Sequence, residues 1–130
     1  MKSHSDLTAA LSGKRFPLED EKVTQAAIAK ALADAGIRFE REVPVDGGVI
    51  DFVATFSEPF PPPCRGRRFR HIGLEVKIKG QAAAILRQMR RYAAEDGLDG
   101  LVLMTARPVS VPAAIGGKPA SCIDMSRAWL

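Results

Sequence analysis

The sequence predicts an α/β domain: a mixed central sheet flanked by helices, in the order α-β-β-β-α-β. Three observations predict it. Two stretches with helical spacing, 17–35 and 81–95, bracket three consecutive stretches of strand character between 37 and 79. The stretch "HIGLEVKIK", His71–Lys79, alternates apolar and polar residues with period two, the pattern of a strand with one apolar face. A short apolar run, Gly100–Thr105, follows the second helical stretch, where a parallel strand reached through a crossover helix belongs.

Each element has its own signals. Residues 1–16 read as a flexible N-terminal arm, with at most a short helix over Asp6–Leu11. A helix is expected from Pro17 to Ala35. Pro17 suits a first turn, Glu19-Asp20-Glu21 suit the positive helix start, and Gly36 suits the C-terminal cap. "IRFEREVPV" (37–45) alternates as a strand, and Asp46-Gly47-Gly48 is a hairpin turn signal. "VIDFVATF", Val49–Phe56, is apolar on both faces and so reads as a central strand. The prolines of "SEPFPPPCRGRRFR", Ser57–Arg70, have no place in a central strand, so this segment reads as a long basic loop. His71–Lys79 is the third strand. Gln81–Glu95 carries no Gly or Pro and is helical, with Gly97 as its stop. After Gly100–Thr105 the chain is broken by Pro and Gly, with a last strand expected at Cys122–Met125. The expected organisation is one domain over 17–130, with a core at 17–106 and a C-terminal extension at 107–130.

Composition supports this reading. At 130 residues, 46% hydrophobic and 26% charged, the chain can bury a real core and is not a disordered polymer. Its net charge of +4 is unevenly spread, with Arg65, Arg67, Arg68 and Arg70 in one group and Arg87, Arg90 and Arg91 in another. That asymmetry fits a phosphate-rich partner, and a merely solubilising surface is the competing explanation. Cys64 and Cys122 have no metal-ligand spacing and form no disulfide framework. There is no apolar leader and no membrane-length apolar run, so a cytoplasmic setting without a membrane partner is the expectation.

The informative residues are those that break the pattern. Asp51 interrupts an apolar central strand, where an ionised carboxylate costs several kcal/mol unless it is paired or binds a cation. A salt bridge to Lys77 would be one pairing. Glu75 and Lys77 share a face of the next strand, one pleat apart. If the two strands are antiparallel neighbours, Asp51 lies beside Glu75, and two adjacent carboxylates raise each other's pKa. A divalent cation removes that conflict, and oxygen ligands of this kind suit Mg²⁺, with Mn²⁺ as a substitute. Glu21 shares a helical stripe with Leu18, Gln25, Ile28 and Leu32, and is therefore aimed toward the sheet, with Glu19 as its competitor. On the second helix Gln88 and Tyr92, four residues apart, can both reach toward the site, with a plain core-edge aromatic the more common outcome for Tyr92. Arg87 and Arg91 make a further pair suited to phosphates. His4 and His71 are isolated; His71 reads as a structural strand-end or loop residue, with a phosphate contact as the alternative.

Asp51 followed by Glu75-Val76-Lys77, set in this element order, resembles the PD-(D/E)xK nuclease superfamily. "EVK" corresponds to the acid–x–Lys element and the Asp of "VIDF" to the upstream acid. Glu21 is similar to the extra acid of Holliday-junction resolvases, and "QMRRY", Gln88–Tyr92, is similar to the Q-x-x-x-Y element of the RecB-type and viral replication-repair branches. The compact core resembles small phage-derived members. The resemblance covers about 17–106 and departs from the pattern in Ile50, which stands where the nominal Pro would be. It implies a restriction-endonuclease-like core and a Mg²⁺-dependent nuclease. Asp51, Glu75, the Val76 carbonyl and Glu21 would hold the metal, Lys77 would act in catalysis, and Gln88 would position the lysine or a phosphate. Arg65, Arg67, Arg68, Arg70, Lys79, Arg87, Arg91 and Tyr92 would meet the nucleic acid, DNA in the first instance with RNA left open, and a homodimer would supply a second cutting centre. An exonuclease or flap nuclease with the same site, and a non-catalytic nucleic-acid-binding module, are the alternatives.

Overall fold

The computed structural model describes residues 2–129. In chain order they form α1 (Lys2–Leu11), α2 (Glu21–Asp34), β1 (Arg38–Val45), β2 (Gly48–Pro59), β3 (Arg67–Lys77), α3 (Ala82–Ala93), β4 (Gly100–Thr105), β5 (Ala114–Ile115) and β6 (Lys118–Asp124), closed by a 3-10 turn at Met125–Trp129. The strands make one mixed sheet in the order β1-β2-β3-β4-β6-β5. β1, β2 and β3 are an antiparallel meander, and β3, β4 and β6 run parallel. The α/β layering expected from the sequence is therefore present, with three helices flanking the sheet.

The apolar faces explain the layers. On one side α1 and α2 pack on Phe52, Ala54, Ile72, Leu74, Val76, Val102 and Met104. On the other, α3 packs on Ile50, Leu101, Leu103 and Ala120 through Ile85, Met89, Tyr92 and Ala93, at helical spacing. All six residues of β4 are buried, as a strand covered on both faces requires.

Several boundaries differ from expectation. The N-terminal arm is α1: Leu7 and Leu11, four residues apart, are fully buried in the core with Phe16, Ile28 and Leu32. α2 begins at Glu21 rather than Pro17. The Asp20 carboxylate caps it, accepting from the Lys22 N–H at 2.9 Å, while the Thr24 hydroxyl donates to the carbonyls of Asp20 and Pro17 and folds the lead-in against the first turn. Its end is as expected. Gly36, at φ 72, lets its own N–H reach the Ala33 carbonyl and that of Ile37 reach Leu32, each at 3.0 Å.

β3 starts at Arg67, inside the segment expected as a loop, because Arg67–Arg70 pair with Phe56–Pro59 and leave only 60–66 off the ladder. It also ends at Lys77, two residues short of the expected Lys79. The C-terminal extension is part of the sheet, with β6 over Lys118–Asp124 rather than Cys122–Met125, in parallel register with β4. Among the described residues, no helix is long and apolar enough to cross a membrane.

Candidate functional site

The β2–β3 ladder runs from Pro59↔Arg67 to Phe52↔Leu74 and stops there. Beyond that point β2 stays with β1, through Ile50 and Val49, while β3 stays with β4, through Lys77. The two strands part at the position of Asp51 and Glu75.

Each acid then takes the backbone donor that the ladder no longer uses. The Asp51 N–H donates to Glu75 Oε1 at 3.2 Å, and the Val76 N–H donates to Asp51 Oδ2 at 2.8 Å. The two carboxylates are thereby interlocked across the fork. A second distortion accompanies it. Ile50 belongs to the cluster on the α3 side and Phe52 to the cluster on the α2 side, although residues two apart on a regular strand share a face. The strand changes phase at Asp51. Opposite it on β1, Glu42 makes no ladder pairing and sits at φ 52, a left-handed conformation unusual for a side chain of its type.

Glu75 is 3% exposed. Its Oε2 accepts from the Tyr92 hydroxyl at 3.3 Å and lies 3.7 Å from Lys77 Nζ. The Tyr92 hydroxyl shares its one hydrogen between Glu75 and the Val49 carbonyl, at 2.8 Å, and accepts from the Gln88 amide, also at 2.8 Å. Burial, and then the neighbouring Asp51 charge, push the Glu75 carboxyl up to about 8, with Lys77 pulling the other way. Burial and the charge of Glu75 likewise raise the Tyr92 hydroxyl. One lysine against two carboxylates leaves the pair undercompensated, so the site favours an added cation or proton.

A cleft of about 530 Å³ opens beside Asp51, lined also by Glu21, Lys22, Gln25, Glu42 and Val49. Glu21 thus lines the same cleft as Asp51, from the first turn of α2. Among the described residues, no three His, Cys, Asp or Glu side chains stand close enough to enclose an ion together. Of the expected metal set, Asp51 and Glu75 are brought together and Glu21 lines the cleft wall, while the Val76 group that meets Asp51 is its N–H.

Other expected residues divide clearly. Tyr92, at 0% exposure, is out of reach of any nucleic acid; with Gln88 it holds Glu75 in place. Gln88 spends an amide N–H on the Tyr92 hydroxyl. Lys79, Arg87 and Arg91 are exposed. The arginines of 65–70 lie at the far end of the sheet. Arg67 donates to the Ser57 hydroxyl and carbonyl, Arg68 and Arg70 both donate to Glu58 at 2.8 Å, and Arg70 also reaches Asp99. His71 is structural, as expected, sharing a hydrogen bond with Thr55. Glu42 had no signal in the sequence, because its place opposite Asp51 depends on the β1–β2 register. The Glu95 carboxylate, which accepts from the Gly47 N–H of the hairpin turn, was hidden because its place depends on how the end of α3 packs against that turn.

The chain matches the sequence model of no known protein family and no curated protein.

Proposed function

We propose that the protein is a metal-dependent phosphodiesterase that hydrolyses nucleic acid, an endonuclease or resolvase of the PD-(D/E)xK type. The interlocked Asp51–Glu75 pair with Lys77 beside it carries this reading. It is a hard-oxygen donor set at the fork of a mixed sheet, held by backbone N–H groups and undercompensated in charge. The element order, with "EVK" closing β3, is what the resemblance implies for a restriction-endonuclease-like core.

The donor set fits Mg²⁺ or Mn²⁺: Asp51 and Glu75 would hold it, the Val76 backbone lies against Asp51, and Glu21 stands across the cleft. Bound there, the ion supplies Lewis acidity to a phosphodiester and lowers the pKa of a water. The rest of the chemistry belongs to the chain. Asp51 and Glu75 are fixed in position by the fork before any substrate arrives, so little reorganisation is left for the reaction. Lys77, 28% exposed, holds its ammonium at the open side of the pair and stabilises negative charge on the phosphate. Tyr92 and Gln88 keep the Glu75 carboxylate from rotating. Arg87, Arg91 and Lys79 give the surface around α3 a positive charge that attracts the polymer.

A second reading has its own observation. The carboxylates replace ladder hydrogen bonds, so the pair could be a structural clasp in a non-catalytic nucleic-acid-binding module. Incubating the protein with supercoiled, linear, single-stranded and four-way-junction DNA in Mg²⁺, Mn²⁺ or EDTA separates the two. Metal-dependent cleavage, lost in Asp51→Asn, supports the nuclease; no cleavage with any substrate or metal leaves the clasp.

A further inference from the structure

Residues 57–70 form the outer half of the β2–β3 hairpin and carry four arginines against one glutamate. They also carry two of the five exposed large hydrophobic side chains among the described residues, Phe69 at 59% and Phe60 at 38% exposure. A single exposed ring is ordinary on a protein surface; what distinguishes this hairpin is two rings set among four arginines.

The rings are held in defined places. The tip is pinned by the Phe60 N–H donating to the Gly66 carbonyl and the Cys64 N–H donating to Pro61, each at 3.1 Å. Ser57 lies directly opposite Phe69 in the ladder. Arg67, two residues from Phe69 and so on the same face, is anchored to the Ser57 hydroxyl at 2.6 Å and to its carbonyl at 3.0 Å. Its guanidinium is therefore fastened beside the Phe69 ring. These two side chains line adjoining clefts, of about 520 and 190 Å³, which share Asp6, Phe56 and Ser57, so that one carboxylate stands beside the arginines. Arg68 lies 6.0 Å from the centre of the Phe60 ring.

We infer that this hairpin is a platform for unpaired bases of a nucleic acid strand, with Phe69 stacking a base and Arg67 and Arg65 holding the flanking phosphates. The charge excess selects a polyanion. The ring selects a single strand, because a paired base inside a duplex is already stacked on both sides, whereas an unpaired one gains a π-face. Six steps along β2 lead from Asp51 to Ser57, the partner of Phe69, roughly 20 Å at about 3.3 Å per residue, so the platform is remote from the acids. The inference rests on the chain handling nucleic acid, as proposed above, and not on the acids cutting it.

The test is anisotropy binding in EDTA, where cleavage is silent, with dT and rU oligonucleotides of about 16 nucleotides, a blunt duplex of the same length and a poly-glutamate peptide. Phe69→Leu should weaken oligonucleotide binding about tenfold and leave duplex binding within about twofold, while Phe69→Tyr, which keeps the ring, should bind like the wild type. Arg67→Gln should flatten the dependence of log affinity on log salt by about 0.7. Loss of oligonucleotide and duplex binding alike, no loss in Phe69→Leu, no binding by the wild type, or a poly-glutamate peptide that binds with the same Phe69 dependence would each overturn the platform. Cleavage is scored separately. Phe69-dependent binding without metal-dependent cleavage removes the nuclease and keeps the platform, and the converse removes the platform alone.

Discussion

Glu75 concentrates the tension of the molecule. A carboxyl raised from 4.5 to about 8 in the folded state keeps a proton that the unfolded chain gives up. Its contribution to stability is full below about 4.5 and is lost as the pH climbs through about 8. In EDTA, stability from urea unfolding should therefore fall across that window. Glu75→Gln, permanently neutral, should remove most of the slope and at pH 7 be more stable by on the order of 2 kcal/mol. A wild-type profile flat from pH 5 to 8 would contradict the burial argument. Tyr92→Phe tests the same site from behind. It leaves the Gln88 amide, the Val49 carbonyl and Glu75 Oε2 without the hydroxyl they share, and should cost about 1–3 kcal/mol by the same measurement. The alternation of "GLEVKIKG" made Glu75 and Lys77 visible in the sequence. Helical spacing aimed Gln88 and Tyr92 at the same region, but that Tyr92 braces Glu75 depends on how α3 packs on the sheet.

Among the elements, the fork between β2 and β3 decides the chemistry and α1 decides the core. If the interlocked acids bind a metal, Mg²⁺ should raise the melting temperature of the wild type and not that of Asp51→Asn, since a ligand that binds only the folded state stabilises it by mass action. An equal rise in both would place the binding elsewhere. In the clasp alternative, Asp51→Asn loses stability without a metal-dependent counterpart. α1 is the simpler case. Leu7 and Leu11 are fully buried, so Leu7→Ala should cost about 2–5 kcal/mol, whereas a loose arm would cost nothing. The sequence concealed α1 because a helix of ten residues has little intrinsic stability, and only the partner surface of α2 and the sheet makes it persist.

For the whole molecule, charge and distance set the terms of any substrate. The acids sit at one end of the β2–β3 pair and the arginine hairpin at the other. Between them a bound strand would have to run along the sheet, past α1 and α2 or past α3. Arg87→Gln with Arg91→Gln should weaken duplex and single-strand binding alike, with a shallower salt dependence, because both guanidinium groups are exposed on α3 and act through phosphates. Unchanged affinity in a salt titration would make α3 an ordinary solvated face.

The amino-acid sequence by itself determined the elements from α2 to β4 and their order, the hairpin at Asp46-Gly47, the cap at Gly36, the buried β4 and the acid–x–Lys triplet. These follow from turn chemistry and periodicity, which act among residues a few positions apart. Only the tertiary structure decided that α1 is core, that Tyr92 braces Glu75, that Glu42 stands opposite Asp51, and that the arginine hairpin lies away from the acids. Each of these depends on register and layer packing between distant segments. The interlock of Asp51 with Glu75 and Val76 spans 24 and 25 positions of chain, and its cause is the parting of two strands, which no local pattern encodes.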